Sequence, residues 1–177
     1  MGNLFELGPF QISESSSKAY NITRNKWTWT QAYNILFVDQ PAGTGLSYAD
    51  PTYSKAYVTS QEELATDFYA ALRELYQNTN GCFNKLGITG SSPLFVFGES
   101  YGGKYAPAIG YNILTEAKDN KGFLTGLKGI AIGDGFTAPF STLRNMGEYA
   151  YNFGLLDYQE RAKIEQFILN ATYQNMN

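Results

Sequence analysis

The run Pro93-Leu94-Phe95-Val96-Phe97-Gly98-Glu99-Ser100-Tyr101-Gly102-Gly103-Lys104-Tyr105-Ala106-Pro107 puts two structural signals back to back. Leu94 to Phe97 is short, apolar and partly β-branched or aromatic, bounded by Pro93 and Gly98, which predicts a strand buried on both faces. Tyr105, Ile109 and Ile113 then recur every four residues, the spacing of a helix with one apolar face. Between strand and helix, Gly98-Glu99-Ser100-Tyr101-Gly102 matches G-x-S-x-G. A turn that swings a strand straight into a helix is sharp, so side chains at the flanking glycines would strike neighbouring backbone. Such a turn lifts the Ser100 hydroxyl to the carboxyl edge of a sheet. It also leaves the Tyr101 N–H, at the helix start, facing the place where an oxyanion would develop. Glycine and serine are common and the pentapeptide can arise by chance. A strand before it, a helix after it and a second glycine at Gly103 argue against chance.

This strand–turn–helix is the nucleophile elbow of α/β-hydrolases. With Glu99 and Tyr101 included, Gly98-Glu99-Ser100-Tyr101-Gly102-Gly103-Lys104-Tyr105 resembles the nucleophile motif of the serine carboxypeptidases, a branch of that superfamily. A second segment matches independently. Asp39-Gln40-Pro41-Ala42-Gly43-Thr44-Gly45-Leu46-Ser47-Tyr48, preceded by Trp29 and Asn34-Ile35-Leu36, is similar to the family's Asp-Gln-Pro-x-Gly-x-Gly-x-Ser-Tyr signature. A third, Gly133-Asp134-Gly135-Phe136-Thr137-Ala138-Pro139, resembles its Gly-Asn-Gly-x-x-x-Pro stretch, with Asp134 where Asn is the commoner residue. The three occur in family order, and the likeness extends from Phe5 to Arg161.

The resemblance implies a fold and a chemistry. The fold is α/β: a mostly parallel sheet with flanking helices, incomplete in this chain, with residues 1–140 as a partial hydrolase core and 141–177 as the start of a helical cap insertion. The chemistry is hydrolysis of a C-terminal peptide bond through an acyl-enzyme on Ser100, with the Tyr101 backbone N–H as half of the oxyanion hole and Gly98, Gly102 and Gly103 as elbow glycines. Glu99 would hold the substrate's terminal carboxylate, a pairing of two carboxylates that repels unless they share a proton. The plainer reading of Glu99 is a sheet-edge carboxylate bonded to backbone donors. Tyr48, Tyr101 and Tyr105 line a pocket or simply pack, in a chain with 14 tyrosines. Asp134 orders its loop, because the family's triad acid comes from a later strand. No metal and no cofactor are implied, and the partner is a peptide or protein with a free C-terminus.

One count complicates this chemistry: the chain contains no histidine. Histidine is the usual base for a serine nucleophile, so a Ser-His-Asp triad cannot be completed within these 177 residues. In the family the catalytic Asp and His lie further along the chain, and a glycine-rich oxyanion segment lies upstream. The expectation is therefore a partial chain: a truncated product, an incomplete gene model, or one chain of a processed enzyme whose second chain supplies Asp and His. The alternative is a non-catalytic descendant that keeps the elbow as a scaffold or binding surface; a third option is an esterase. Lys104 is a poor substitute base, since Ser-x-x-x-Lys is one residue longer than the Ser-x-x-Lys of lactamase-like enzymes and most helix lysines are solvated.

Composition sets the outer bounds. Apolar residues make up 44% and aromatics 16%, which predicts a folded chain of one domain, small for an α/β-hydrolase. A net charge of −3 without a basic run argues against nucleic acid, and the apolar stretches fall short of a membrane span. The first residues lack a signal-peptide pattern, while the resemblance implies vacuole, lysosome or secretion. Asn21-Ile22-Thr23 and Asn170-Ala171-Thr172 are N-glycosylation acceptors for a secretory route. The single cysteine, Cys82, is a partly buried free thiol or half of a bridge to another chain.

The remaining segments predict local structure. Gln11 to Ala19 reads as an exposed turn or hairpin, and Ile35 to Val38 as an internal strand. The glycines of the loop after it allow positive φ and close packing; it lacks the third glycine and the lysine of a phosphate loop. Thr59-Ser60-Gln61-Glu62 supplies a capping box for a helix with an apolar stripe of Leu64, Phe68, Leu72 and Leu75. Asn78 to Ser92 is a polar connection, and Leu127 to Gly133 a further strand. Leu143, Met146, Ala150 and Phe153 follow at helical spacing up to Gly154, then Asp157 and Glu160 cap a helix carrying Ile164, Phe167 and Ile168.

Overall fold

A computed structural model describes residues 2–16, 18–118 and 122–174. The chain divides between Val58 and Thr59 into two compact units.

The first unit opens with a helical turn, Gly2–Glu6, followed by a hairpin of β1 (Phe10–Glu14) and β2 (Tyr20–Arg24). The serine-rich segment expected to turn does so: Ser15 donates to the Ala19 carbonyl at 2.8 Å, and Lys18 takes a left-handed φ of 60°. Antiparallel pairing sets Gln11 opposite Thr23 and Ser13 opposite Asn21, so polar side chains share one face. The unit is knotted by Asn25, which is buried. Its Nδ2 donates to the Glu6 and Gly8 carbonyls at 2.9 and 3.0 Å, and its Oδ1 accepts from the Trp27 N–H at 2.9 Å. A buried amide satisfied on both ends replaces the apolar core that a segment this short cannot build. A 3₁₀ turn, Trp29–Gln31, follows, capped by the Thr28 side chain. The strand expected at Ile35 to Val38 does not form; the backbone there is irregular, with Leu36 and Val38 exposed. A strand exists only as part of a ladder, and no described segment pairs with this one.

The second unit holds the apolar core. α1 (Gln61–Gln77) packs on α3 (Gly102–Lys118), burying Leu64, Ala65, Tyr69 and Leu72 against Ala106, Ile109 and Ile113, with Leu124 beneath. The cap of α1 sits one residue later than expected: Ser60 Oγ accepts from the Glu63 N–H at 3.1 Å, and the Glu63 carboxylate accepts from the Thr59 N–H at 2.7 Å. The segment after α1 includes a short helix, α2 (Cys82–Lys85), where the Cys82 thiol is exposed rather than partly buried.

β3 (Leu94–Glu99) and β4 (Leu127–Gly133) pair in parallel, joined by α3 across one face. This is the βαβ arrangement, in which the connecting helix covers the sheet. Gly110 lets the helix approach β4, since a Cβ there would sit 2.9 Å from Ile130 Cγ2. The expected burial of both strand faces is not met. Leu94 and Val96 are half-buried toward α3, whereas Phe95 and Phe97 on the opposite face are each 56% exposed. Within this unit, α3 packs on the first of these faces.

Beyond β4 the expected helix is two: α4 (Pro139–Arg144) and α5 (Met146–Asn152), broken at Asn145, whose Nδ2 donates to the Ser141 carbonyl at 3.0 Å. Gly154 stops α5 with φ 68°. α6 (Tyr158–Gln174) begins with the expected reciprocal cap, the Asp157 N–H to Glu160 Oε2 at 2.9 Å and the Glu160 N–H to Asp157 Oδ1 at 2.8 Å. Ile164 and Ile168 are half-buried, while Leu143, Met146, Phe153 and Phe167 are exposed.

Candidate active site

The junction of β3 and α3 is built from both ends. The Ser100 N–H donates to the Gly133 carbonyl at 3.0 Å, extending the β3–β4 ladder one residue past Glu99. The Ser100 carbonyl then accepts from the Gly103 N–H at 3.0 Å, starting the helix, and from the Phe136 N–H at 2.8 Å. Held this way, Ser100 has φ 53°, a left-handed conformation rare for a residue with a Cβ. Asp134, on the facing loop, is likewise left-handed at φ 42°. Its carboxylate makes no hydrogen bond among the described residues, so main-chain bonds shape this loop.

The glycines differ in what they permit. A Cβ at Gly98 would collide with the Gly102 carbonyl oxygen and lie 3.1 Å from the Ala106 Cβ. At Gly103 it would lie 2.8 Å from Gly135 Cα and 2.9 Å from Thr137 Oγ1. Gly102 is different: a Cβ there meets nothing within 4 Å, so the collision expected at that position is absent. The two crowded glycines seat the helix start against the strand and against the loop after β4.

Ser100 and Glu99 are both exposed. Among the described residues neither the Ser100 hydroxyl nor the Glu99 carboxylate makes a hydrogen bond, so Glu99 is not tied to backbone donors. Its Cγ lies over Gly133, 3.8 Å from where a Cβ would be. The Tyr101 N–H also has no partner among the described residues, although the amides on either side of the turn are engaged. The Tyr101 ring packs edge-on to Tyr105 at 5.2 Å and tilted to Phe136 at 6.5 Å. Burial, and secondarily the neighbouring Tyr101, raises the Tyr105 phenol above its ordinary range. Lys104 is half-buried, with its Nζ 4.6 Å from the Tyr101 ring centre and 5.1 Å from that of Phe136. Phe136 went unnoticed in the sequence because nothing in its spacing announces a contact with residues on a different element.

The loop Asp39–Tyr48 belongs to the first unit and orders itself. Gly43 and Gly45 have φ 92° and 57°, as positive-φ positions call for. Asp39 Oδ2 accepts from the Leu46 N–H at 2.8 Å, and Gly43 donates to Ser47 at 2.9 Å. Tyr48 is exposed. Asn21 is exposed on β2; Asn170 is exposed on α6, its Oδ1 accepting from Gln166 at 3.2 Å. A cavity of about 130 Å³ lies between α4 and α6, lined by Phe140, Ser141, Arg144, Ile168 and Leu169, with no elbow residue among them. Among the described residues no cluster of His, Cys, Asp and Glu is placed to hold a metal ion, and no helix is long and apolar enough to cross a membrane.

Known proteins share this pattern across the chain. It is 36% identical over 166 residues to serine carboxypeptidase-like 50 of Arabidopsis thaliana, covering 94% of this chain and 34% of that protein. Vitellogenic carboxypeptidase of Aedes aegypti is 32% identical, with 93% of this chain and 31% of the relative covered. Venom serine carboxypeptidase of Apis mellifera is 32% identical over 94% of this chain and 32% of its own length. The chain thus spans about a third of the length of these curated relatives. The serine carboxypeptidase profile matches residues 1–177, and with the strand–Ser100–helix turn inside that match, this chain belongs to the serine carboxypeptidase family, an α/β-hydrolase lineage.

Proposed function

We propose that the chain is the nucleophile-bearing part of a serine-type carboxypeptidase. The observation that carries this is the turn itself: Ser100 is left-handed between a parallel strand and a helix, its hydroxyl exposed and the next N–H unpartnered. In the reaction, Ser100 Oγ bonds to the carbonyl carbon of the last peptide bond and the C–N bond breaks. The departing amino acid takes a proton, and water then splits the ester, restoring the hydroxyl. The Tyr101 N–H stabilises the tetrahedral oxyanion, and Glu99 receives the substrate's terminal carboxylate through a shared proton. The base must come from outside these residues, because no imidazole is present and Lys104 is committed to two ring faces. That source is a longer polypeptide or a second chain, for which the exposed Cys82 offers an attachment point.

This reading places residues 1–140 in the hydrolase core and 141–177 at the start of the cap. It also places the protein in a vacuole, lysosome or secretion, with Asn21 and Asn170 glycosylated.

The test uses the protein in its native form, with any partner chain. An N-blocked dipeptide with a free carboxylate should be cleaved, its amidated form and a simple ester far less. Ser100→Ala should lower the rate by about four to six orders of magnitude and abolish fluorophosphonate labelling. A Ser100→Ala protein that keeps its biological role, alongside a wild type that never labels, would establish the non-catalytic scaffold instead.

A further inference from the structure

The elbow carries a cation that the proposed chemistry does not use. Lys104 stands on the first turn of α3, and its ammonium lies against both Tyr101, on the elbow, and Phe136, on the loop after β4. Phe136 is also the residue whose N–H bonds the Ser100 carbonyl at 2.8 Å. On the same helix turn, a Cβ at Gly103 would lie 2.8 Å from Gly135 Cα and 2.9 Å from Thr137 Oγ1, so only a glycine at 103 lets the helix start seat on that loop. The loop therefore touches the elbow in three ways, through one hydrogen bond, one glycine seat and one ammonium shared by two rings.

We infer that Lys104 is a positioning residue, its ammonium clamping Tyr101 to Phe136 and so holding the loop 134–137 on the elbow that fixes Ser100 and the Tyr101 N–H. The left-handed Ser100 is strained, and strain persists only where its surroundings over-determine it. Two of the three fastenings are main-chain contacts, one a hydrogen bond and the other a close approach that glycine at 103 permits. The third is a side chain, and it depends on positive charge rather than on volume. Apolar packing alone would be equally served by methionine, whereas a ring face attracts a cation specifically. The catalytic consequence rests on Ser100 being the nucleophile; the clamp does not.

The experiment is hydrogen exchange with peptide-level resolution on the natively purified protein, comparing peptides spanning 99–104 and 133–138 with one spanning 64–72 in α1. Lys104→Met keeps length and helix propensity but removes the charge. It should exchange about three- to tenfold faster in the two elbow peptides, the range of a partly desolvated cation–π contact, with α1 unchanged. Lys104→Arg should restore protection. Wild-type exchange in Lys104→Met would overturn the clamp. Equal loosening of α1, or a Lys104→Arg as loose as Lys104→Met, would overturn it too, leaving only generic packing. A parallel readout is the ring-current displacement of the Lys104 ε-methylene protons, which Phe136→Leu should reduce. Fluorophosphonate labelling reports on the nucleophile separately: exchange as expected without labelling keeps the clamp and sinks the carboxypeptidase reading.

Discussion

Two turns of this protein hold left-handed backbone by opposite means. In the loop Asp39–Tyr48 the positive φ values fall on Gly43 and Gly45, and every bond that shapes the loop is local, from Asp39 to Leu46 and from Gly43 to Ser47. At the elbow the positive φ falls on Ser100, and the bonds that impose it come from β4 and the loop behind it. The 39–48 loop meets its two positive-φ positions with glycine, the residue that feels no steric strain there. Packed elements can oppose it, at a cost of about 1–2 kcal/mol for an L-residue, and so can present a side chain where glycine would be the default. The left-handed Ser100 is thus held by long-range main-chain bonds, to Gly133 and from Phe136.

The largest effect expected from this contrast is at Gly98. Its added Cβ would strike the Gly102 carbonyl, a backbone atom that cannot swing aside. Gly98→Ala should lower the stability of the 59–174 unit by about 3 kcal/mol or more, whereas Gly102→Ala, with nothing within 4 Å, should change it by less than about 0.5 kcal/mol. Urea melts followed by far-UV circular dichroism measure both. Equal midpoints for the two variants would mean that the elbow is not held from outside.

A smaller and more confined effect is expected at Gly45. Alanine there would combine φ 57° with a Cβ driven into the Asp39 carboxylate. The cost, about 1–2 kcal/mol, should fall on the loop alone. Limited proteolysis should then cut between Asp39 and Tyr48 faster than in wild type. Unchanged cleavage there would mean that this loop does not depend on glycine at 45.

Legibility in the sequence follows the same division. The reciprocal cap of Asp157 and Glu160, the positive φ of Gly43 and Gly45 and the turn between β1 and β2 were readable because their causes lie within a few residues. The strand–turn–helix around Ser100 was readable because apolar run, glycines and helical spacing all agreed. Segments whose state depends on a partner were not. Ile35 to Val38 carries a strand pattern and forms no strand, and Phe95 and Phe97 carry a buried pattern and are exposed, since pattern records what a segment can bury rather than what meets it. Phe136 on Lys104 was invisible for a related reason: sequence offers no register between a helix and a distant loop.

The smallest effect concerns how the 59–174 unit is held at high pH, and it separates packed structure from local structure by titration. Burial raises the Tyr69 and Tyr76 phenols, as it does Tyr105. A phenol whose folded pKa is raised binds its proton more tightly in the native state than in the unfolded one. Its contribution is therefore complete below the unfolded value of 10.0 and is lost as pH climbs from there through the folded value. The unit should thus weaken progressively above about pH 10, while hydrogen bonds within the 39–48 loop, which involve no phenol, impose no such slope. Tyr69 is the informative site, because its hydroxyl lies near the Phe123 and Leu124 main chain without forming a hydrogen bond. Removing a buried hydroxyl that has no partner costs little, so Tyr69→Phe should match or slightly exceed wild-type stability at pH 7. At pH 11 it should retain more of that stability than wild type does. Parallel pH profiles for the two proteins would mean that Tyr69 stays protonated beyond that range or opens to solvent before it titrates, and the alkaline weakening would then belong to Tyr76 and Tyr105.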